Sequence, residues 1–341
     1  TYEKGEVVQG SQEDWIEMMK CEYTENGNAI TCWEANVVPG YTITKLRANG
    51  TEERNLSAAF TPEAGKFYNI TLNYDPGYTE VSEGNYTVNN EKGLKNLAEL
   101  VNNGATDINI TLTGDINLTG EWTPIGNYEQ KYTGTFDGNG KTITGLTFNQ
   151  QETNNVGLIG RLGENGIVRD VKLDKVNIKA NNNVGGIVGG NNGGSIIGCS
   201  VSGDISGARR VGGVVGYFGV GYNVVTACYH EGSVSGSVSV GGVAGDSAYG
   251  SLTACYHAGN VSGSQYVGGV AGYNSTTGTV TACYWSGYDG TGIGLGRGEA
   301  TQVDGTTVTW KTAVDAMNAA LQNAGSEWRY ELTGELPTLK K

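Results

Sequence analysis

A repeat of 27 to 29 residues runs through the middle of this chain. Five segments align: Val156-Gly-Leu-Ile-Gly160, Val184-Gly-Gly-Ile-Val-Gly189, Val211-Gly-Gly-Val-Val-Gly216, Val240-Gly-Gly-Val-Ala-Gly245 and Val267-Gly-Gly-Val-Ala-Gly272, with starts 28, 27, 29 and 27 residues apart. The second half of each unit repeats too, with Cys199, Cys228, Cys255 and Cys283 spaced 29, 27 and 28 apart and Val171 in the same place one unit earlier. Each unit holds two or three short β-type runs broken by Gly, Asn or Ser and shows no helical period. One such unit cannot bury a core alone, but stacked units can, each strand pairing with its equivalent about 4.8 Å above and below. The repeat therefore predicts an all-β chain whose main body, residues 81–310, is a right-handed parallel β-helix.

Composition agrees with that fold. Glycine supplies 56 of 341 residues and proline only 5, and there is no collagen period. Such a balance fits tight corners in a folded β protein rather than a disordered linker. The net charge is −13, made up of −7 over 1–80, −5 over 81–153, 0 over 154–300 and −1 over 301–341. No basic patch exists for nucleic acid, so that partner class is excluded, and anionic membrane surfaces are disfavoured. No apolar run is long enough for a direct membrane span. The chain opens on Thr1 with no leader, so an export signal or lipid anchor is expected outside it.

Alternation assigns the faces. The Cys position, with Val171, points inward; the next position, reading Lys172, Ser200, Tyr229, Tyr256 and Tyr284, points outward. Upstream, Asn90 to Val101 reads as an amphipathic helix with Leu94, Leu97, Leu100 and Val101 on one face. Downstream, residues 311–341 read as a helical cap and tail, the helix running from Trp310 to Ala324 and closing the far end. Capping is expected at both ends because an open β-helix edge invites aggregation. Residues 1–80 lack the repeat and alternate, as in Phe67-Tyr-Asn-Ile-Thr-Leu-Asn73. They predict a small antiparallel β-sandwich-like domain, bounded by the turn signal at Asp75-Pro-Gly-Tyr78.

The repeats resemble the GLUG motif family, which occurs in exported bacterial surface proteins, and the resemblance covers roughly 150–290. Phe136-Asp-Gly-Asn-Gly-Lys-Thr-Ile143 is similar to the opening coil of pectin-lyase-like β-helices. Residues 56–74 resemble the closing strands of fimbrillin-like domains of Bacteroidales, a family whose full domain is longer than this segment. Together the resemblances imply a cell-surface or fimbria-associated protein of a Bacteroides-type bacterium, outside the outer membrane, acting as a non-enzymatic adhesin. Expected partners are a host or microbial surface glycan or protein, and fimbrial subunits.

Several residues are candidates for chemistry. Tyr229, Tyr256 and Tyr284 form an outward column whose rings, about 4.8 Å apart, would stack on sugars or on another protein. The competing reading is a self-stacking ladder, or one covered by a loop. Cys21 and Cys32 flank Asn26-Gly27, a two-residue hairpin turn that would place them opposite one another as a disulfide. Two neighbouring free thiols are the alternative. His230 and His257, each two residues after a Cys, raise the question of zinc, but the column Leu173, Val201, His230, His257, Trp285 reads as packing, and neither metal nor cofactor is expected. Some proteins with GLUG repeats carry a zinc protease; its H-E-x-x-H is absent from this chain. Asp246-Ser247-Ala248 is similar to the short site that Bacteroidales O-glycosylate, which implicates Ser247. The acids of 154–300 do not recur in register, and only Asp115 and Asp137 remain as conceivable catalytic carboxylates. A carbohydrate-active β-helix enzyme or a glycan-binding module is accordingly the alternative to an adhesin.

Overall fold

The computed structural model describes residues 5–9, 15–25, 28–48, 52–66, 68, 75–275 and 277–341. The chain divides between Tyr74 and Asp75 into two compact units.

The described part of the first unit is one antiparallel sheet. Its strands are β1 (Gly5–Gln9), β2 (Trp15–Glu25), β3 (Asn28–Glu34), β4 (Ile43–Ala48) and β5 (Glu52–Phe60), in the order β3-β2-β1-β4-β5. Val7, Ile43 and Leu46 are buried, with Ile16, Leu56 and Phe60 packed on them. Glu6 is held by Arg47 at 2.7 Å. The strand expected around Phe67–Asn73 and the turn at Asn26-Gly27 lie outside the described residues.

The second unit opens with a hairpin, Tyr78–Ser82 and Asn85–Val88, and a helix, α1 (Glu91–Asn102). Asn90 caps α1 by accepting the Gly93 amide at 2.9 Å. Leu94, Leu97, Ala98 and Val101 go into the core, as the sequence spacing requires, while Leu100 packs at its margin.

From there the chain coils into a β-solenoid. Wall A stacks seven strands in parallel, Asn109–Leu112, Thr135–Asp137, Ile167–Arg169, Ser195–Ile197, Asn223–Thr226, Gly250–Thr253 and Thr279–Thr281. Wall B begins at Ile116–Asn117 and Thr142–Thr144 and runs through Lys172–Lys179, Ser200–Ser206, Tyr229–Glu231, Tyr256–Ala258 and Cys283–Ser286 to Ala300–Gln302. Wall C stacks Ile159–Leu162, Val188–Asn191, Val215–Phe218, Ala244–Asp246, Ala271–Asn274 and Ile293–Gly296. A four-stranded sheet beside wall C stacks Asn182–Gly185, Arg209–Gly212, Val238–Gly241 and Gln265–Gly268. In-register columns fill the lumen: Ile110, Phe136, Val168, Ile196, Val225 and Leu252 from wall A, and Val184, Val211 and Val240 beside wall C. Each such side chain contributes about 1.5–3 kcal/mol by leaving water.

The paired glycines of the repeat have separate reasons. A Cβ on the first, as at Gly212, would lie 2.2 Å from the Val215 carbonyl oxygen within its own corner. A Cβ on the second would strike the side chain crossing the lumen from wall B: Val201 at Gly186, His230 at Gly213, His257 at Gly242 and Trp285 at Gly269. The absent side chains make room for the wall B column.

Two corner columns place non-glycine residues in the left-handed region. Between walls A and B stand Asp170, Ala227, Ala254 and Ala282, with φ of 53°, 52°, 51° and 49°, and Gly198 joins them at 64°. Before wall C stand Asn155, Asn183, Arg210, Ser239 and Tyr266, with φ between 55° and 61°. Each costs roughly 1–2 kcal/mol of backbone strain unless local bonds offset it, and the ladder on either side holds it in place.

The C-terminal segment departs from expectation. Helix α2 (Trp310–Asn323), capped by Thr309, does not close the end of the solenoid. It lies along the outside of the A/B corner, where Ala313, Val314, Met317 and Leu321 join Ala227, Ala254, Tyr256 and Tyr284 in a second core. The chain then returns as a hairpin, Arg329–Glu331 with Thr338–Lys340. Tyr330 donates to the Ala254 carbonyl at 2.9 Å, Trp328 covers Gly198, and Lys341 meets Asp170 at 2.9 Å. The reason is the corner itself: its small residues leave a shallow apolar seat that takes the apolar face of α2. Among the described residues no helix is long and apolar enough to cross a membrane.

Candidate binding face

The outward tyrosine column is where alternation puts it, but it is not open. Tyr229 and Tyr256 stack with ring centres 4.7 Å apart and planes 6° from parallel. Trp310 and Tyr330 meet Tyr256 edge-on at 4.9 and 5.7 Å, and its hydroxyl lies 2.6 Å from the Pro337 carbonyl and 2.8 Å from the Glu231 carboxylate, both acceptors for its one proton. Tyr256 is 0% exposed and Tyr284 9%, while Tyr229 is half-buried. The expectation that Tyr229, Tyr256 and Tyr284 present a ligand face is therefore corrected: the column is the seat of the C-terminal segment.

Three further sequence candidates have structural duties. Ser247 is fully buried, its hydroxyl 3.3 Å from both the Tyr273 carbonyl and Asn274 Oδ1. A glycosyl group cannot be carried there in the folded chain, which corrects the reading of Ser247 as a glycosylation site. Asp115 accepts the Thr142 amide at 2.9 Å, and Asp137 holds Arg169 at 2.8 Å and the Asn139 amide at 2.8 Å.

Cys199, Cys228, Cys255 and Cys283 are buried free thiols, each within 3.2–3.4 Å of the carbonyl two residues before it. Burial pushes the Cys228 and Cys255 thiols well above the ordinary thiol range, so they are not nucleophiles. His230 and His257 stack in parallel with Nδ1 atoms 3.1 Å apart. His230 Nε2 lies 3.0 Å from the Gly203 carbonyl, which can only accept, so that nitrogen carries the proton. His230 Nδ1 is then an acceptor, His257 Nδ1 donates to it, and His257 Nε2 is left as a bare lone pair without a partner. Burial lowers His230 to about 4, and burial with the neighbouring ring lowers His257 to about 3.

In the first unit, Cys21 stands directly opposite Cys32 across β2 and β3. Both are thiols in this structure. Among the described residues they and Glu34 form the one group of three or more His, Cys, Asp or Glu whose ligand-type atoms lie within 4.8 Å of one another.

An open face exists elsewhere. The residue after each repeat motif points outward from wall C, and register aligns Arg161, Gly190, Tyr217, Asp246, Tyr273 and Leu295 in one column. The residue before each motif is the left-handed corner residue, and the two columns touch. The Arg210 guanidinium lies over the Tyr217 ring at 4.4 Å and its Nε is 3.4 Å from Asp246. Arg161 Nη1 lies 3.3 Å from Asn155 Oδ1, and Tyr266 and Tyr273 rings are 6.4 Å apart. Tyr128, 69% exposed, faces the Arg161 guanidinium at 5.4 Å. Tyr217, Tyr266 and Tyr273 are all in strands. The usable signal was positional, because these residues flank the constant six of the repeat.

The GLUG motif model matches residues 180–206. The chain is 30% identical over 185 residues to halomucin of Haloquadratum walsbyi, covering 50% of this chain and 2% of halomucin. It is 34% identical over 98 residues to a Gly-rich membrane protein, so named provisionally, of Evansella cellulosilytica, covering 27% of this chain and 11% of that one. It thus spans a small fraction of the curated relatives it matches. Among solved structures, a Bacteroides ovatus protein provisionally described as an immunoglobulin A1 protease superposes with a TM-score of 0.52 at 15% identity, covering 75% of this chain and 92% of that one. That likeness establishes the shared β-helix fold and nothing about activity.

Proposed function

We propose that this chain is a binding module of a larger cell-surface or secreted protein, an adhesin-type β-helix whose wall C holds the ligand while the solenoid serves as a rigid stalk. The observation that carries it is the outward stripe of Tyr217, Arg210, Asp246, Tyr266 and Tyr273, in which Tyr266 is exposed, Tyr217, Arg210 and Tyr273 are partly exposed and Asp246 is held by Arg210. Aromatic rings beside charged and amide groups are what sugar and protein surfaces bind. The names of its relatives, a mucin and a membrane protein, support a surface setting. The first unit, with its fimbrillin-like segment, is the part we assign to attachment or assembly, and the facing Cys21 and Cys32 we assign to a disulfide formed in an oxidising compartment. Glycosidase chemistry needs two carboxylates facing one substrate, and the stripe offers Asp246 alone, held by Arg210.

Binding to a glycan array and to whole host and bacterial cells, by the chain and by a Tyr217→Ala, Tyr273→Ala variant, tests this. Binding abolished in a variant of unchanged melting temperature supports the wall C face. Equal binding by both moves the site, and no binding by either leaves a passive stalk.

A further inference from the structure

We infer that the Arg161 end of this stripe takes a carboxylate, so that the ligand of wall C is an acidic glycan; the inference rests on the binding-face reading above.

Arg161 is only 8% exposed, yet among the described residues no carboxylate pairs with it. Its one hydrogen bond is the 3.3 Å contact to Asn155 Oδ1, and its Nε has no partner. Two more exposed arginines of the solenoid do have a carboxylate: Arg169 holds Asp137 at 2.8 Å and Arg210 holds Asp246 at 3.4 Å. A guanidinium largely removed from water without a counter-charge is costly, and an anion that completes it gains a charge-assisted, two-pronged bond.

The position is built for such a group. Gly190 follows Arg161 in the column, and a Cβ there would lie 2.7 Å from Nη1 and 2.9 Å from Cδ. Glycine thus lets the arginine lie flat along the wall, on the side of Tyr217 two coils on, with the Tyr128 ring on its other side. The side-chain amide of Asn183 donates to the same Asn155 oxygen at 2.9 Å, fixing it as an acceptor toward Arg161.

The rest of the stripe suits a chain of sugars. Tyr217 and Tyr273 stand two coils apart, about 10 Å, and Tyr217 stands two coils from Arg161. A linear glycan along the solenoid axis would stack alternate rings on the tyrosines and bring one carboxylate to Arg161. The acidic charge of the protein lies mainly in 1–153, and 154–300 is neutral, so this wall does not repel a polyanion as the whole chain would.

The test is calorimetric titration of the full chain with carboxylated oligosaccharides (galacturonate, alginate, hyaluronan and sialyllactose), each beside its carboxyl-reduced neutral form, with dextran sulfate as a bare polyanion. At least one acid form should bind, its reduced form about tenfold or more weaker. Arg161→Gln should lose a similar factor, and Arg209→Gln, an exposed arginine, should stay within about threefold. Tyr128→Ala, on an exposed ring that folding does not need, should weaken the same acid several-fold and covers the case in which Arg161→Gln fails to fold. Equal binding of acid and reduced forms, or full binding by Arg161→Gln, overturns the carboxylate assignment while leaving wall C as a face for neutral sugars. Dextran sulfate binding that Arg209→Gln weakens as much as Arg161→Gln overturns it as mere charge attraction. Binding by none of the carboxylated probes also overturns it, and the array with Tyr217→Ala, Tyr273→Ala then decides separately whether the face binds anything.

Discussion

The corner between walls A and B and the corner before wall C are built on one backbone plan and put to opposite uses. Both stack left-handed residues coil after coil, from Asp170 to Ala282 at the first and from Asn155 to Tyr266 at the second. At the first, Gly198, Ala227, Ala254 and Ala282 are small, and α2 with the Tyr330 hairpin settles on them. At the second, Asn155, Asn183, Arg210, Ser239 and Tyr266 are larger and polar, all but Ser239 reach solvent at least in part, and no helix settles on them. Side-chain size at a fixed corner geometry thus separates a docking seat from a solvent face.

The largest effect should follow from breaking the covered side. Tyr330→Ala removes a fully buried ring and its bond to Ala254, and should cost about 3–5 kcal/mol by chemical denaturation. A cost near zero would mean that the segment is not integral to the fold. Next, Ala254→Arg imports an open-corner residue beneath α2 and should destabilise by at least about 1–3 kcal/mol, read as a drop in melting temperature. A harmless Ala254→Arg would break the comparison.

Acid should come third, through the lumen where the two sides meet, since His230 and His257 grow from wall B and fill the space left by Gly213 and Gly242. Their folded values, about 4 and about 3, lie below the ordinary 6.5. Between those limits the unfolded chain binds more protons, so stability falls as pH falls from about 6.5 toward 4, by a few kcal/mol. In His230→Val, His257→Val, which copies Val201 of the preceding coil, that part of the slope should vanish in melts taken from pH 7 to pH 4. The smallest effect belongs to the open side: Arg210→Ala, whose ion pair is partly exposed, should shift stability by about 1 kcal/mol or less. A loss as large as that of Tyr330→Ala would show that the open corner is structural.

Much of the solenoid was legible because its cause is local and repeated. The period placed the walls, and alternation put Val171 and the four cysteines inside. Asn90 and the Leu94, Leu97, Val101 spacing marked α1. What α2 does was not legible. Its apolar face announces burial, but its seat is made by Ala227, Ala254 and Tyr256, which are distant in sequence and recognisable as a seat only once coiled. That one docking event turned an apparent ligand column into core. Ser247 was misread for a related reason: its short motif says nothing of Asn274, one coil on, whose side chain closes over it. That Arg161, Tyr217, Asp246 and Tyr273 share one column was not legible, because they differ from coil to coil and only the constant residues of each repeat show the register.

The C-terminal segment also acts as a ruler. It touches Tyr256 through Trp310, Ala254 through Tyr330, Gly198 through Trp328 and Asp170 through Lys341. Inserting one coil anywhere between Asp170 and Tyr256 would move those anchor points apart by about 4.8 Å, and the segment could no longer reach all of them. Coils can be added or lost outside that span at little cost, as stacked repeats allow, but within it the number of turns is set. The length of the open stripe on the far side, from Arg161 to Tyr273, is thereby held constant by contacts that never touch it.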